Sequence, residues 1–296
     1  MDKLKSTFSF GKNWVDYVEN FVEEDRIKNA EQSLLQYLPR EEYKDKVFID
    51  IGCGSGIFSL SALRLGCSKV ISFDVDRYSI EATKKVKNRF SYLLPEDYLW
   101  EIFTGDVLDE NLISRLEKSG DIVYSWGVLH HTGNMWKAIK NASRLVKSSG
   151  FFIIAIYNKT SSSAYWLKVK RFYNSAPKFI KLLLVYFYFF CITCKRAMTH
   201  LLELISGKEK KLRWDKLFGQ RRGMSTFYDI IDWLGGYPYE YASFEEVKDF
   251  VESLGCQLIK APTTLPSAKG KVSFLSIFSL YNTGNNEFVF KKIQHL

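Results

Sequence analysis

The sequence lacks most of the features that would place a chain outside the reducing interior of a cell. Met1 to Trp14 contains no long apolar segment, so no secretory leader is expected. The five cysteines, Cys53, Cys67, Cys191, Cys194 and Cys256, show no disulfide framework, which fits a cytoplasmic setting. Cys191 and Cys194 form a C-x-x-C, but inside an apolar helical stretch, where core packing is expected rather than redox or metal chemistry. No cluster of His, Cys and carboxylates has ligand spacing, so no metal is expected and activity should survive a chelator. Repeats and low-complexity segments are absent. The longest apolar run is Leu182–Cys194, thirteen residues with Lys178 and Lys181 before it and Lys195 and Arg196 after it. A helix of that length spans about 20 Å, short of the ~30 Å hydrocarbon core. Its length and flanks fit a helix at an anionic membrane interface, with snorkelling lysines. The alternative is a helix buried as a lid or dimer contact.

What is present is an ordinary globular composition, 46% hydrophobic and 25% charged over 296 residues. That length accommodates one large domain, or a domain with an insertion. The net charge of +9 is concentrated. From Lys159 to Arg222 fifteen Lys and Arg face three acids, leaving the rest of the chain near −3. The basic segment also breaks the pattern of elements. Trp14 to Leu38 is amphipathic and predicts one or two N-terminal helices. Strands then alternate with helices from Val47 to Tyr157, with a helix over Met135–Val146 before the fifth strand, the pattern of a parallel sheet covered on both faces. After Tyr157 the alternation stops. Helix Phe244–Leu254, N-capped by Ser243, and strands Cys256–Ile259 and Glu287–Lys292 close the chain. The division expected is an N-terminal helical cap (1–45), a Rossmann-like α/β core (46–158), a basic helical insertion serving as lid or substrate segment (159–240), and the return to the core (241–296).

The densest chemistry lies in Val47–Gly56, VFIDIGCGSG. A short apolar strand carries Asp50 near its end and runs into Gly52, Gly54 and Gly56, after which Ile57 to Leu65 has helical spacing. Glycines permit close backbone approach and positive φ, and a strand–glycine turn–helix unit cradles nucleotides. The spacing differs from G-x-G-x-x-G, which argues against a dinucleotide site. Asp74 ends a second strand 22 residues after Gly52, a distance suited to accepting ribose hydroxyls one βαβ step on. Asp106 marks the tip of a third strand, Asp121 to Gly127 forms a fourth, and Phe151 to Tyr157 a fifth.

This ordered set, VFIDIGCGSG, VISFDVD, FTGDVLD, DIVYSWGVLHH and SSGFFIIAIYN, resembles class I S-adenosylmethionine-dependent methyltransferases. The resemblance implies a seven-stranded, mostly parallel sheet whose last strand inserts antiparallel between the fifth and sixth. It implies S-adenosyl-L-methionine as cofactor, with Gly52, Gly54 and Gly56 under its methionine part and Asp50 in support. Asp74 would take the ribose, Asp106 the adenine amino group with Val107 beside it, and Trp126 would flank donor or substrate.

His130 and His131 follow the fourth strand, where a histidine has acid–base chemistry near neutral pH. His131 aligns with the histidine ending the Leu-Glu-His element of ubiquinone-type O-methyltransferases, and His130 replaces its glutamate. A turn-capping role is the alternative. Gly127 stands where some of those enzymes carry an acid. The segment Arg221–Glu240 places Asp229, Asp232 and Glu240 among aromatics and glycines, and Asp232 is a further candidate catalytic residue. Together with Phe10–Trp14 and Gly284–Phe290, it resembles a bacterial and archaeal subgroup of class I methyltransferases. The expected function is O-methylation of a small molecule, glycan or lipid-linked acceptor. An RNA methyltransferase tracking phosphates with the basic insertion is one alternative, though Ser125-Trp-Gly-Val is not the Pro-Pro-aromatic element of base-amine enzymes. A donor-binding scaffold without catalysis is another.

Overall fold

The computed structural model describes residues 11–206, 226–265 and 284–293. Their elements run α1 (Gly11–Phe21), α2 (Glu24–Tyr37), β1 (Val47–Ile51), α3 (Ile57–Leu65), β2 (Lys69–Asp74), α4 (Arg77–Arg89), β3 (Leu99–Thr104), α5 (Glu110–Leu116), β4 (Gly120–Trp126), α6 (Met135–Arg144) and β5 (Val146–Tyr157). Then come α7 (Ser163–Ser175), α8 (Lys178–Ile205), α9 (Thr226–Gly235), α10 (Phe244–Ser253), β6 (Cys256–Lys260) and β7 (Asn285–Lys292). The described residues group into two compact units: 11–159 with 240–265 and 284–293, and 160–206 with 226–239.

The first unit is built on a seven-stranded sheet of order β3-β2-β1-β4-β5-β7-β6. β7 pairs antiparallel with both β5 and β6, and the other pairings are parallel. Side chains alternate across each strand, so neighbouring residues serve opposite cores. Phe48, Ile122, Ile153 and Val289 pack with Val18, Leu34, Leu63 and Val86 from α1 to α4. Ile49, Val123, Phe152 and Phe288 pack on the other face with Ile113, Ile139 and Val251 from α5, α6 and α10. The order of strands reverses between β1 and β4, and in open α/β sheets ligands bind beyond the strand ends at that switch point.

Local chemistry explains most boundaries. α3 lies between two left-handed glycines, Gly56 and Gly66. α10 opens on a capping box in which the Ser243 side chain accepts from Glu246 N, and the Glu246 carboxylate accepts from Ser243 N. Two boundaries differ from expectation. The helix expected over Met135–Val146 stops at Arg144, because Val146 already pairs with Gly120 and begins β5. The thirteen-residue apolar run is the middle of a longer helix, α8, of 28 residues.

The second unit contains α7, α8 and α9. Trp166 and Tyr173 of α7 and Val185, Tyr188 and Ile192 of α8 are buried. Lys170 is enclosed too: its Nζ donates to Trp233 O and sits 3.9 Å from the Trp233 ring centroid. Burial pushes the Lys170 ammonium well below the usual lysine range. Cys191 is half-buried but Cys194 is exposed, so core packing does not account for Cys194. Among the described residues no helix is long and apolar enough to cross a membrane.

Candidate active site

The tips of β1, β2 and β3 assemble one cluster. Gly52, Gly54 and Gly56 all have positive φ, at 74°, 53° and 78°. A Cβ at Gly52 would stand 2.5 Å from the Val128 methyls, and one at Gly56 would meet the Thr83 backbone at 2.9 Å. Gly54 lies under the Trp14 ring, whose atoms would be 3.2 Å from an added Cβ. The loop is therefore locked from below by α4 and flanked by α1. Gly52 N and Cys53 N both donate to Phe73 O, which fastens the turn to β2.

Asp74 completes that fastening. Its Oδ2 accepts from Gly54 N at 3.1 Å and its Oδ1 from Asp76 N at 2.9 Å. A carboxylate offers about four lone-pair directions, so each oxygen keeps capacity for a further donor. Burial raises the Asp74 pKa, partly offset by those backbone donors. Asp50 lies beneath the loop, 2% exposed, accepting from Ser59 Oγ at 2.5 Å. Ser59 in turn meets Ser72 Oγ, which accepts from Trp100 Nε1. Burial pushes Asp50 up to about 7, the Ser59 bond opposing and the Asp74 charge adding to the shift. Asp50 thus ties β1 to α3 and acts on the loop from behind.

Asp106 is exposed just beyond β3, its Oδ1 accepting from Leu108 N at 2.8 Å. The cap of α5 is Asp109, whose side chain accepts from Asn111 N. Val107 buries its side chain, and its carbonyl accepts from Asn141 Nδ2.

The tips of β4 and β5 form a second cluster. Gly127, φ 73°, has open space where a Cβ would stand, unlike the other glycines of the site. His130 is fully buried; its Nδ1 accepts from Tyr157 N at 3.3 Å, and its ring lies 3.9 Å from that of Tyr157. That geometry makes His130 a brace between the β4 and β5 tips and turns it away from the acid–base role expected of it, since an enclosed ring cannot reach an acceptor. His131 is half-buried, edge-on to Tyr157 at 5.4 Å. Glu240 accepts from Met135 N through both oxygens and so caps α6, with its pKa raised by burial. Asp232 stands on α9, but its side chain, like that of Asp229, lies outside the described residues.

Trp126, at the tip of β4, is tied to β7. Its Nε1 donates to Glu287 Oε1 at 3.1 Å, while Glu287 Oε2 accepts from Thr263 Oγ1 at 3.2 Å. Burial and the neighbouring Glu287 charge raise the Tyr37 pKa, and the nearby Tyr124 hydroxyl is buried with no hydrogen-bond partner among the described residues. None of Trp14, Tyr37 or Glu287 was expected at a site on residue chemistry. Glu287 had a legible signal: it shares a strand face with buried Val289, an unusual place for an acid.

The first cluster fits an S-adenosylmethionine donor. The Asp74 and Asp106 carboxylates, in a net-acidic region, suit a sulfonium cation, the three glycines bring backbone to the surface of the turn, and Asp74 and Asp106 retain acceptor capacity. Among the described residues no three His, Cys, Asp or Glu side chains are placed to hold a metal.

Comparison with known proteins gives a consistent result. A family model described as a methyltransferase domain matches residues 22–187. The ubiquinone biosynthesis O-methyltransferase of Pelagibacter ubique (strain HTCC1062) is 28% identical over 164 residues, 54% of this chain and 59% of that protein. The ribosomal protein L11 methyltransferase of Psychrobacter sp. (strain PRwf-1) is 37% identical over 86 residues, 27% of this chain and 28% of that protein. The chain thus spans between about a quarter and three fifths of these curated relatives. Among solved structures, PKMT2 from Rickettsia typhi in complex with AdoHcy is similar at a TM-score of 0.52 and 13% identity, over 86% of this chain and 50% of that one. That likeness is one of fold.

Proposed function

The chain belongs to the methyltransferase domain family, and we propose that it moves the methyl group of S-adenosylmethionine to a hydroxyl oxygen of a small-molecule, glycan or lipid-linked acceptor. S-adenosylmethionine is the cofactor, and when bound it supplies an activated methyl on a sulfonium. Gly52 to Gly56 would receive its methionine part, Asp74 the ribose hydroxyls and Asp106 the adenine amine. The chain's own task is then to hold an acceptor oxygen in line near 3–3.5 Å, exclude water and remove one proton. The His131 imidazole would take the proton that the acceptor hydroxyl gives up on methylation.

The observation carrying this reading is the division of labour at the strand tips. Carboxylates line the β1–β3 side, whereas a half-open imidazole, a tyrosine and the open space at Gly127 line the β4–β5 side. The Trp126–Glu287–Tyr37 group adds an acid beside aromatics, chemistry that suits a hydroxyl-bearing acceptor. The match to the L11 methyltransferase covers only 86 residues, so it supports the donor half and says little of the acceptor. The setting proposed is cytoplasmic.

Calorimetry with S-adenosylhomocysteine tests the donor site. Radiolabelled donor, incubated with fractionated cell extract, then tests the acceptor. Label in the small-molecule, glycan or lipid fraction is expected. Label confined to protein or RNA would overturn the hydroxyl assignment, and donor binding without any transfer would leave a scaffold.

A further inference from the structure

The outer side of α8 carries a long run of exposed large apolar side chains. Phe179, Leu183, Phe187, Phe190, Leu201 and Ile205 follow one another at intervals of three, four or eleven residues and are all exposed, Phe190 by 66% and Ile205 by 74%. At 3.6 residues per turn these positions form one continuous stripe along a helix of about 42 Å. The opposite side, with Val185, Tyr188 and Ile192, is buried in the unit's own packing. So α8 has one apolar side for its core and a second facing solvent.

The margins of the exposed stripe are basic. Leu182, Tyr186, Met198 and Leu202 are exposed as well and widen the apolar face to about 200°, so that at about 100° per residue exposed Lys178 and Lys195 fall just beyond its two margins. From Lys178 to Leu202 the helix has no acid; its single one, Glu203, meets buried His200. Lys181, which the sequence placed among the flanking lysines, faces inward over the Tyr173 ring at 5.7 Å.

We propose that the exposed face of α8 binds the interface of an anionic lipid bilayer, the helix lying in the membrane plane. A flat apolar stripe edged by lysines matches the acyl boundary beneath a layer of anionic headgroups, where each long side chain snorkels outward. A second copy of the chain is a poorer occupant, because stacking two such faces sets lysine margins against each other. Spanning is excluded by Lys195 and Arg196 in the middle of the helix and by the absence of a sufficiently apolar window among the described residues. This surface stands independently of methyl transfer.

The test is cosedimentation of the full chain with phosphatidylcholine vesicles, with and without phosphatidylglycerol. Binding is expected with the anionic vesicles at low salt and should weaken as salt is raised. Lys178→Gln with Lys195→Gln should reduce partitioning about 25-fold, about fivefold per charge. Leu183→Glu with Phe190→Glu should abolish it at an unchanged melting temperature, since both side chains are exposed. A wild-type chain that stays in the supernatant at low salt overturns the proposal. So does unaltered binding by both double variants, or a wild-type dimer that Leu183→Glu with Phe190→Glu converts to monomer without affecting vesicle binding.

Discussion

Trp126 and Glu287, 161 positions apart, are joined by a hydrogen bond of 3.1 Å that ties the tip of β4 to the start of β7. Thr263 donates to the other oxygen of the same carboxylate, so one acid joins β4, β7 and the segment after β6. Glu287→Ala strands two donors in a half-buried position, and a loss on the order of 2 kcal/mol is expected in urea unfolding. Glu287→Gln, which keeps one acceptor, should lose less than half of that. Donor affinity should hold in both, because β7 lies three strands from β1. Equal affinity losses in both variants would show that Glu287 acts on the donor site.

Asp74 gives the sharpest test of the donor assignment. Its two backbone bonds shape the glycine turn, and its remaining lone pairs are those assigned to the ribose. Asp74→Ala should weaken S-adenosylhomocysteine binding by roughly 1.5–3 kcal/mol for each charged hydrogen bond lost. Asp74→Asn should retain part of the turn and lose less. Unchanged calorimetric affinity in a folded Asp74→Ala protein would remove Asp74 from the ribose site.

The strands and their chemistry were legible because each element carries a local signal. Apolar runs end in Gly52, Asp74 or Asp106, and Ser243 and Glu246 spell out a helix start. Histidine placement was not legible. The resemblance singled out His131 and kept His130 as a second candidate, and only the course of β5 decides that Tyr157 N binds the His130 ring and encloses it. Trp14 and Tyr37 were hidden for a similar reason: in an amphipathic helix an aromatic that covers a loop reads the same as one that fills a core. Trp126 was assigned by its place at a strand end, whereas its direction is set by Glu287, which is distant in sequence.

The two histidines should separate in a paired experiment. His130→Ala removes an acceptor for Tyr157 N and a packed ring, and about 3 kcal/mol of stability should go with them. His131→Ala should shift stability by less than about 1 kcal/mol and leave donor affinity intact. On the acceptor found by labelling, its turnover should fall about 10²–10⁴-fold, the usual contribution of general base catalysis. A His131 variant with wild-type turnover would move the proton to another acceptor, and a stable His130→Ala protein would refute the bracing role.

Asp50 makes the stability of the sheet unit depend on pH in a direction opposite to that of most paired carboxylates. Its folded pKa, pushed up to about 7 by burial, lies above the ordinary value of 3.8. Below about pH 4 the group is protonated in both states and contributes no pH dependence. Between about 4 and 7 the unfolded chain releases this proton while the folded one keeps it, so the folded state binds more protons and stability falls as pH rises. Above about 7 both states are ionised and the loss is complete, at no more than about 4 kcal/mol for three pKa units. Asp50→Asn keeps an oxygen for the Ser59 hydroxyl and has no proton to release. Its chemical unfolding curves at pH 5 and pH 8 should therefore differ by less than those of the wild type, with the variant gaining most at pH 8. If the two proteins lose stability in parallel over that range, Asp50 is ionised in the folded state at pH 5. The Asp50–Ser59 bond would then join a carboxylate, not a carboxylic acid, to α3 beneath the glycine turn.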